Sequence, residues 1–341
     1  MTDTRDSSHS AKTAPLPLLW GDKRYHTWNH HLRHTFGHKV FKVPLDAGFT
    51  CPNRDGKIAS GGCTFCSARG SGDFAGHRRD SLVTQFNDIK ERMHQKWPNA
   101  EYIGYFQAYT NTYAPVEELR EMYEVILEQE GNVGLAIATR PDCLPDDVVE
   151  LLAEINKKTY LWVELGLQTV HDSTGELINR AHDYQCYVEG VEKLRKHNIR
   201  TCCHIIYGLP QETEEMMLET AREVSKLDIQ GLKIHLLHLM KYTPMVKQYE
   251  EGLLQFLEKD EYVDLVVKTL EIMPPEVTIH RLTGDAPKHL LIGPQWSSDK
   301  WNVLNSIDRE LRLRDTWQGK YWDPAIQREE KKIVQVTNHA Y

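Results

Sequence analysis

Apolar and β-branched residues gather in six short runs, 40–44, 101–107, 134–138, 161–166, 201–207 and 231–236, each of strand length. Between them, at 82–96, 116–129, 145–156, 184–196 and 212–227, apolar residues recur every three to four positions, the period of a helix with one buried face. Repeated strand-then-helix units imply parallel strands joined by right-handed crossovers. The pattern therefore predicts an α/β fold, a partial (β/α)6 barrel of the TIM type. Residues 1–18 are polar, broken by proline and without apolar period, and are expected to be a disordered tail. The barrel with a basic N-terminal segment is expected over 19–240. An α-rich extension covering it, with a helical run at 301–316, is expected over 241–341.

In a barrel of this kind, functional groups gather at the carboxyl ends of the strands. Gln107, Thr139, Gln168, Tyr207 and His238 stand at such ends and are expected to face one mouth.

A length of 341 residues with 40% hydrophobic content suits one large domain. No apolar run approaches membrane-spanning length and no export signal is legible, so a cytoplasmic protein without a membrane partner is expected. The odd number of cysteines, seven, argues for reduced thiols over a disulfide framework. The net charge of −8 is unevenly spread. Residues 20–80 carry ten Lys and Arg against five Asp and Glu, whereas residues 81–341 carry 29 against 42. Lys39, Lys42, Arg54, Lys57, Arg69, Arg78 and Arg79 are candidates for a phosphate-binding rim, or for a solvated basic surface.

That basic segment holds Cys51, Cys63 and Cys66 in the stretch CPNRDGKIASGGCTFC. Thiolates select zinc or iron–sulfur centres. Three of them leave a four-iron cluster with one open iron, and Gly56, Gly61 and Gly62 allow the loop to fold back on itself. A zinc knuckle completed by a histidine such as His77, or three unrelated thiols, would use the same residues.

Further motifs follow in order: ATRPD at 138–142, VELGLQT at 163–169, INRAH at 178–182 and HIIYGLPQET at 204–213. With the C-x11-C-x2-C spacing, the stretch from Lys39 to Leu237 resembles the radical S-adenosylmethionine superfamily. The resemblance is to its YhcC/YtqA (MnmL-type) branch, which is similar to the Elongator catalytic subunit and to oxygen-independent coproporphyrinogen oxidase.

The resemblance implies that Cys51, Cys63 and Cys66 hold a [4Fe-4S] cluster to which S-adenosylmethionine binds. It implies cofactor contacts for Phe65, Gln168, Arg180, His204 and Ile206. Two departures stand out: FQAYTNTYAP at 106–115 replaces a carboxylate-bearing segment of relatives, and Ala138 stands where Elongator-like chains have Glu. Gln107, Tyr109 or Asn111 are expected to substitute through neutral hydrogen bonds. Tyr109, Asn111, Tyr113, His235, His238 and Lys241 are the candidate substrate-side groups. For function, the resemblance implies wobble-uridine chemistry on tRNA, converting 5-carboxymethylaminomethyluridine to 5-aminomethyluridine, with electrons from a flavodoxin or ferredoxin. A small anionic, porphyrin-like substrate is the rival within the superfamily.

His26, His30, His34 and His38 recur every fourth residue, as on one helical face, with Gly37 expected to end the helix before His38. No acidic or Cys partner lies at ligand spacing, so a solvated face is expected. Cys143, Cys186, Cys202 and Cys203 form no CxxC pair, and adjacent Cys202 and Cys203 are expected on opposite faces of a strand.

Overall fold

The structure is a computed structural model and describes residues 17–323. All but the end of the expected tail at 1–18, and the last part of the 241–341 extension, lie outside the described residues.

The elements in order are α1 (Trp28–Phe36), β1 (Val40–Leu45), α2 (Leu82–His94), β2 (Glu101–Phe106), α3 (Val116–Leu127), β3 (Asn132–Thr139), α4 (Asp146–Lys158) and β4 (Tyr160–Gln168). Then come α5 (Asp172–Leu177), α6 (Tyr184–Lys196), β5 (Arg200–Tyr207), α7 (Glu214–Lys226), β6 (Gly231–Leu236), β7 (Leu239–Met240) and α8 (Met245–Glu250). The described chain ends with α9 (Lys259–Ile272), β8 (Thr278–Arg281), β9 (Leu291–Gly293) and α10 (Lys300–Leu313).

Seven strands form one parallel sheet in the order β1-β2-β3-β4-β5-β6-β8, while β7 and β9 pair separately and antiparallel. The six expected strands and five expected helices are all present. The seventh sheet strand, β8, comes from the stretch expected to be α-rich. It follows α9 as one more helix–strand unit, so the sheet continues beyond residue 240.

Helix boundaries have local causes. Asp183 caps α6 by accepting from the Cys186 amide at 2.8 Å, and Thr213 caps α7, so that helix starts at Glu214. Gly37 ends α1 in the left-handed region at φ 79°, its amide bonding to Arg33. The helix ends before His38, as expected. Of the four-residue row, His30 and His34 lie on α1, His26 precedes it, and His38 beyond it pairs with Glu101 at 2.5 Å.

Helices α2, α3, α4, α6, α7 and α9 cover the outer face of the sheet. In α4, Val148, Val149, Leu151, Leu152 and Ile155 are buried while Asp146, Asp147, Glu150 and Glu154 face out. Strands β2 to β5 are buried almost continuously, as a sheet covered on both faces requires.

The inner face holds a second apolar cluster. Leu32 of α1 packs there with Val40, Tyr105, Ala136, Trp162 and Cys202, and Trp28 lies edge-on to Trp162 at 5.4 Å. Cys203 belongs to the outer core, so the two adjacent cysteines do face opposite ways. Side chains from β1, β4, β6 and β8 meet on this concave side, because Lys42, Lys233 and His280 all reach Glu164. A flat sheet with five strands between its edges could not bring them together, so the sheet curls into a partial barrel.

Candidate active site

The loop after β1 carries the three cysteines to the carboxyl end of the strands. Within it Asp55 and Ser60 pair as a short antiparallel bridge, and Gly61 and Gly62 turn the chain back at φ 83° and 79°, conformations natural to glycine. The INRAH segment then fixes the loop from below. The Asn179 side-chain amide donates to the Ser60 and Gly62 carbonyls at 3.2 and 2.8 Å, and the Asn53 amide donates to the Asn179 carbonyl at 2.6 Å. The Thr64 amide bonds to the Ile178 carbonyl at 2.9 Å.

Cys51, Cys63 and Cys66 all line one cavity of about 860 Å³, well within the size range of cofactor and substrate sites. Burial pushes the Cys63 thiol up to about 12 and raises that of Cys66 as well. As free thiols they are protonated, and ligation requires the thiolate. Groups that favour the thiolate are in place. Asn53 Nδ2 approaches Cys63 Sγ at 3.5 Å, Ser71 Oγ lies 3.7 Å from Cys66 Sγ, and the charges of Arg140 and Arg54 act on Cys63 and Cys66.

Among the described residues, no three His, Cys, Asp or Glu side chains converge as a single-ion site requires, and His77 is exposed. Three thiols lining one cavity suit a polynuclear cluster in which each sulfur takes its own iron.

Phe65, Gln107, Tyr109, Gln168, His204, Ile206, His235 and His238 are brought to the same cavity. Gln107 donates to the Ser71 carbonyl at 2.9 Å, and Tyr109 to the Ala68 carbonyl at 2.6 Å. Tyr109 has φ 62° and lies flat against Gly70, where a Cβ would sit 2.4 Å from its ring. The guanidinium carbons of Arg54 and Arg78 stand 5.5 and 4.8 Å from the centre of its ring, a stack beside the cysteine loop. Burial lowers the pKa of His204 and His238 to about 4 and that of His235 further, so these imidazoles are neutral.

Five expected positions lie elsewhere. Arg180 is 1% exposed and does not reach the cavity. Its guanidinium is committed to the carbonyls of His182 at 2.8 Å, Leu167 at 2.9 Å and Thr169 at 2.5 Å, and to Asp172 at 2.8 Å. Four of its five N–H donors are thus spent on bracing the end of β4, away from the cavity. Asn111 is fully buried, its amide donating to the Phe106 and Ala138 carbonyls at 3.1 and 2.9 Å, so it ties β2 to β3. Tyr113 lies outside the cavity with Lys57 Nζ 5.4 Å from the centre of its ring, Lys241 is exposed, and Tyr207 is buried against Thr269 at 2.7 Å in the outer core. The expected basic rim divides as well. Arg54 and Arg78 stand by the cysteine loop, whereas Lys39 lies near the start of β1 and Lys42 points into the barrel onto Glu164.

Glu164 was not anticipated as a site residue. It has no exposed side-chain surface and accepts from Lys42, from Lys233 and from His204 Nε2 at 3.0 Å, with His280 Nδ1 3.8 Å away. Despite its burial, the two ammonium groups and the imidazoles hold its carboxyl well below the usual range. The only prior signal was its place in VELGLQT.

The sequence profile described as the Radical SAM superfamily matches residues 53–224, and that of the Radical_SAM C-terminal domain matches 229–312. The chain is 66% identical to the protein YtqA of Bacillus subtilis over 308 residues, 90% of this chain and 96% of that protein. It is 38% identical to YhcC of Escherichia coli, over 86% of this chain and 95% of the relative. Among solved structures, the Elp3 of the archaeon Methanocaldococcus infernus superposes with a TM-score of 0.62 at 15% identity. That match covers 82% of this chain but only 64% of the archaeal one, and it shows a shared fold. With three thiols round one cavity at the mouth of a parallel partial barrel, the chain belongs to the radical S-adenosylmethionine superfamily, in its YhcC/YtqA branch, and its cofactors are a [4Fe-4S] cluster and S-adenosylmethionine.

Proposed function

We propose that this enzyme modifies a wobble uridine in tRNA, removing the carboxymethyl unit of 5-carboxymethylaminomethyluridine to leave 5-aminomethyluridine. The observation that carries this reading is the cysteine-lined mouth flanked by Arg54, Tyr109 and Arg78, an aromatic ring with two guanidinium groups against it where a base and its phosphates would meet the cavity. The Elongator resemblance of the motifs supports it.

When bound, the cluster and S-adenosylmethionine supply a hydrogen-abstracting carbon radical, fed by a one-electron donor of the flavodoxin or ferredoxin kind. Cys51, Cys63 and Cys66 would ligate the cluster. Phe65, Gln107, Gln168 and Ile206 would contact S-adenosylmethionine. Neutral His204, His235 and His238 line the deeper wall and can position a substrate without adding charge.

The overall reaction balances as a two-electron oxidation of the carboxymethyl carbon. The C–N bond is oxidised to an imine, and water cleaves it to the amine and glyoxylate. The two electrons are taken up in converting S-adenosylmethionine to methionine and 5'-deoxyadenosine, so the electron lent by the donor is regained in each turnover and not consumed.

The test is anaerobic reconstitution with iron and sulfide, followed by incubation with reductant, S-adenosylmethionine and tRNA bearing the modified uridine. Nucleoside analysis should show 5-aminomethyluridine, with glyoxylate and 5'-deoxyadenosine in equal amounts, all absent with Cys63→Ala. Deoxyadenosine release without any change in the tRNA would reject tRNA as the substrate. Zinc bound without iron or sulfide would reject the radical chemistry.

A further inference from the structure

We propose that Lys42 and Lys233 form a carboxylate-binding subsite inside the barrel, which holds the anionic end of the substrate side chain. This deepens the proposed function and takes the identity of the substrate from it, but the subsite is argued from the cavity wall alone.

Both lysines line the cavity, and both are paired to the single carboxylate of Glu164, Lys42 through Oε1 and Lys233 through Oε2. Two cations thus share one anion. Among the described residues no other carboxylate pairs with either. His204 and His280, which complete the shell of Glu164, are held neutral by burial, as is His235 on the next strand position. The other carboxylates of the cavity are engaged elsewhere: Asp73 accepts from Ser67 at 2.9 Å, and Asp285 pairs with Lys300 at 2.6 Å and Arg281 at 3.4 Å. The Lys42–Lys233–Glu164 group therefore carries one ammonium more than it has carboxylates, and burial, which the Glu164 charge only partly offsets, lowers Lys233 to about 8, still protonated at neutral pH.

A surplus charge among aromatic and imidazole rings is costly unless an anion joins it. Donor capacity points the same way. An ammonium has three N–H donors. Lys233 uses one on Glu164 and one on the Tyr105 hydroxyl at 3.1 Å, while Lys42 uses one on Glu164 and one towards His280 Nδ1 at 3.3 Å. Each keeps one donor, and two single donors match the two oxygens of one carboxylate. Rigid neighbours hold both groups in place, with Lys42 4.5 Å from the ring centre of Trp28 and Lys233 4.6 Å from that of Tyr105. Buried histidines alone would bind a neutral group as well as an anion, whereas this pair rejects the neutral one.

The experiment compares binding of two anticodon stem-loop RNAs to the reconstituted full chain, one bearing the carboxymethylaminomethyl group and one its carboxamide. N-benzylglycine and its amide serve as small probes that need no RNA contact. Wild type should prefer each carboxylate over its amide by roughly a hundredfold, and Lys233→Met should erase most of that preference, as loss of one member of a buried charge pair does. Lys42→Met is the second variant, and melting curves establish that each is folded.

Equal binding of acid and amide by wild type would overturn the proposal. So would a preference that survives both substitutions, or a loss confined to S-adenosylmethionine affinity. A lysine-dependent preference for N-benzylglycine without selective RNA binding would uphold the subsite while removing tRNA as the substrate. Turnover of the modified tRNA with no acid-over-amide preference would do the reverse.

Discussion

The side-chain amide of Asn179 donates to the carbonyl of Gly62 across 2.8 Å, joining the turn after α5 to the cysteine loop 117 residues earlier. A second bond from the same amide reaches Ser60 at 3.2 Å. Asn179 itself sits at φ 52°, a conformation asparagine tolerates better than most residues.

Asn179→Ala should therefore loosen the loop without unfolding the barrel, since it leaves two carbonyls unsatisfied and strains the backbone, at about 1–3 kcal/mol. The expected result is an unchanged far-ultraviolet circular dichroism spectrum together with faster loss of the cluster's visible absorbance to an iron chelator. A variant that kept its cluster as long as wild type would show that the clamp does not hold the ligand loop.

Arg180→Met separates bracing from cofactor binding. Three carbonyls and Asp172 lose their donor, so destabilisation on the order of 3 kcal/mol or more is expected in denaturant titration. Below the unfolding transition, the affinity of the loaded protein for S-adenosylmethionine should stay within a few fold of wild type. A large loss of affinity with unchanged stability would restore Arg180 to the cofactor.

If Arg54 and Arg78 contact tRNA phosphates, each Arg→Ala substitution should weaken tRNA binding and make it less sensitive to salt. The slope of log affinity against log salt should shrink by about one per lost contact. The same measurement on Lys39→Ala, near the amino end of β1, is expected to leave the slope unchanged.

Stability should fall on acidification between pH 6.5 and 4. Burial depresses the pKa of His31, His204 and His238 to about 4, while unfolded histidine titrates near 6.5. The unfolded chain thus takes up protons first, and the stability these neutral rings contribute, fully present above pH 6.5, is lost as pH falls through 4. Melting temperatures across that range should decline, and His31→Gln, which can still bond the Tyr160 hydroxyl 2.6 Å away, should flatten part of the decline.

The alternation of strands and helices was legible because each element is long enough to display its period. β8 was not, because its four residues, Thr278–Arg281, follow closely on Pro274 and Pro275 and resemble a loop. At the site, the ligand loop announced itself through three cysteines and its glycines, which act locally. Arg180 sits in a motif that does matter, but a motif does not say which way a long side chain turns, and the carbonyls that capture it come from 11 and 13 residues away. Glu164 and Lys233 are 69 residues apart on different strands, and each looks like an ordinary position in an alternating run until the sheet curls.

The two outer strands of the curled sheet, β1 and β8, are not paired with each other. The space between them is bridged by α1 and the residues just before it: the Ile279 amide of β8 donates to the His26 carbonyl at 2.7 Å, and Trp28 of α1 touches both His280 and Lys42 through its ring. Parting α1 from β1 therefore breaks ring contacts and no strand-to-strand ladder. The barrel is a bracelet fastened by a clasp, and its circumference is set by side chains that can be retailored one residue at a time.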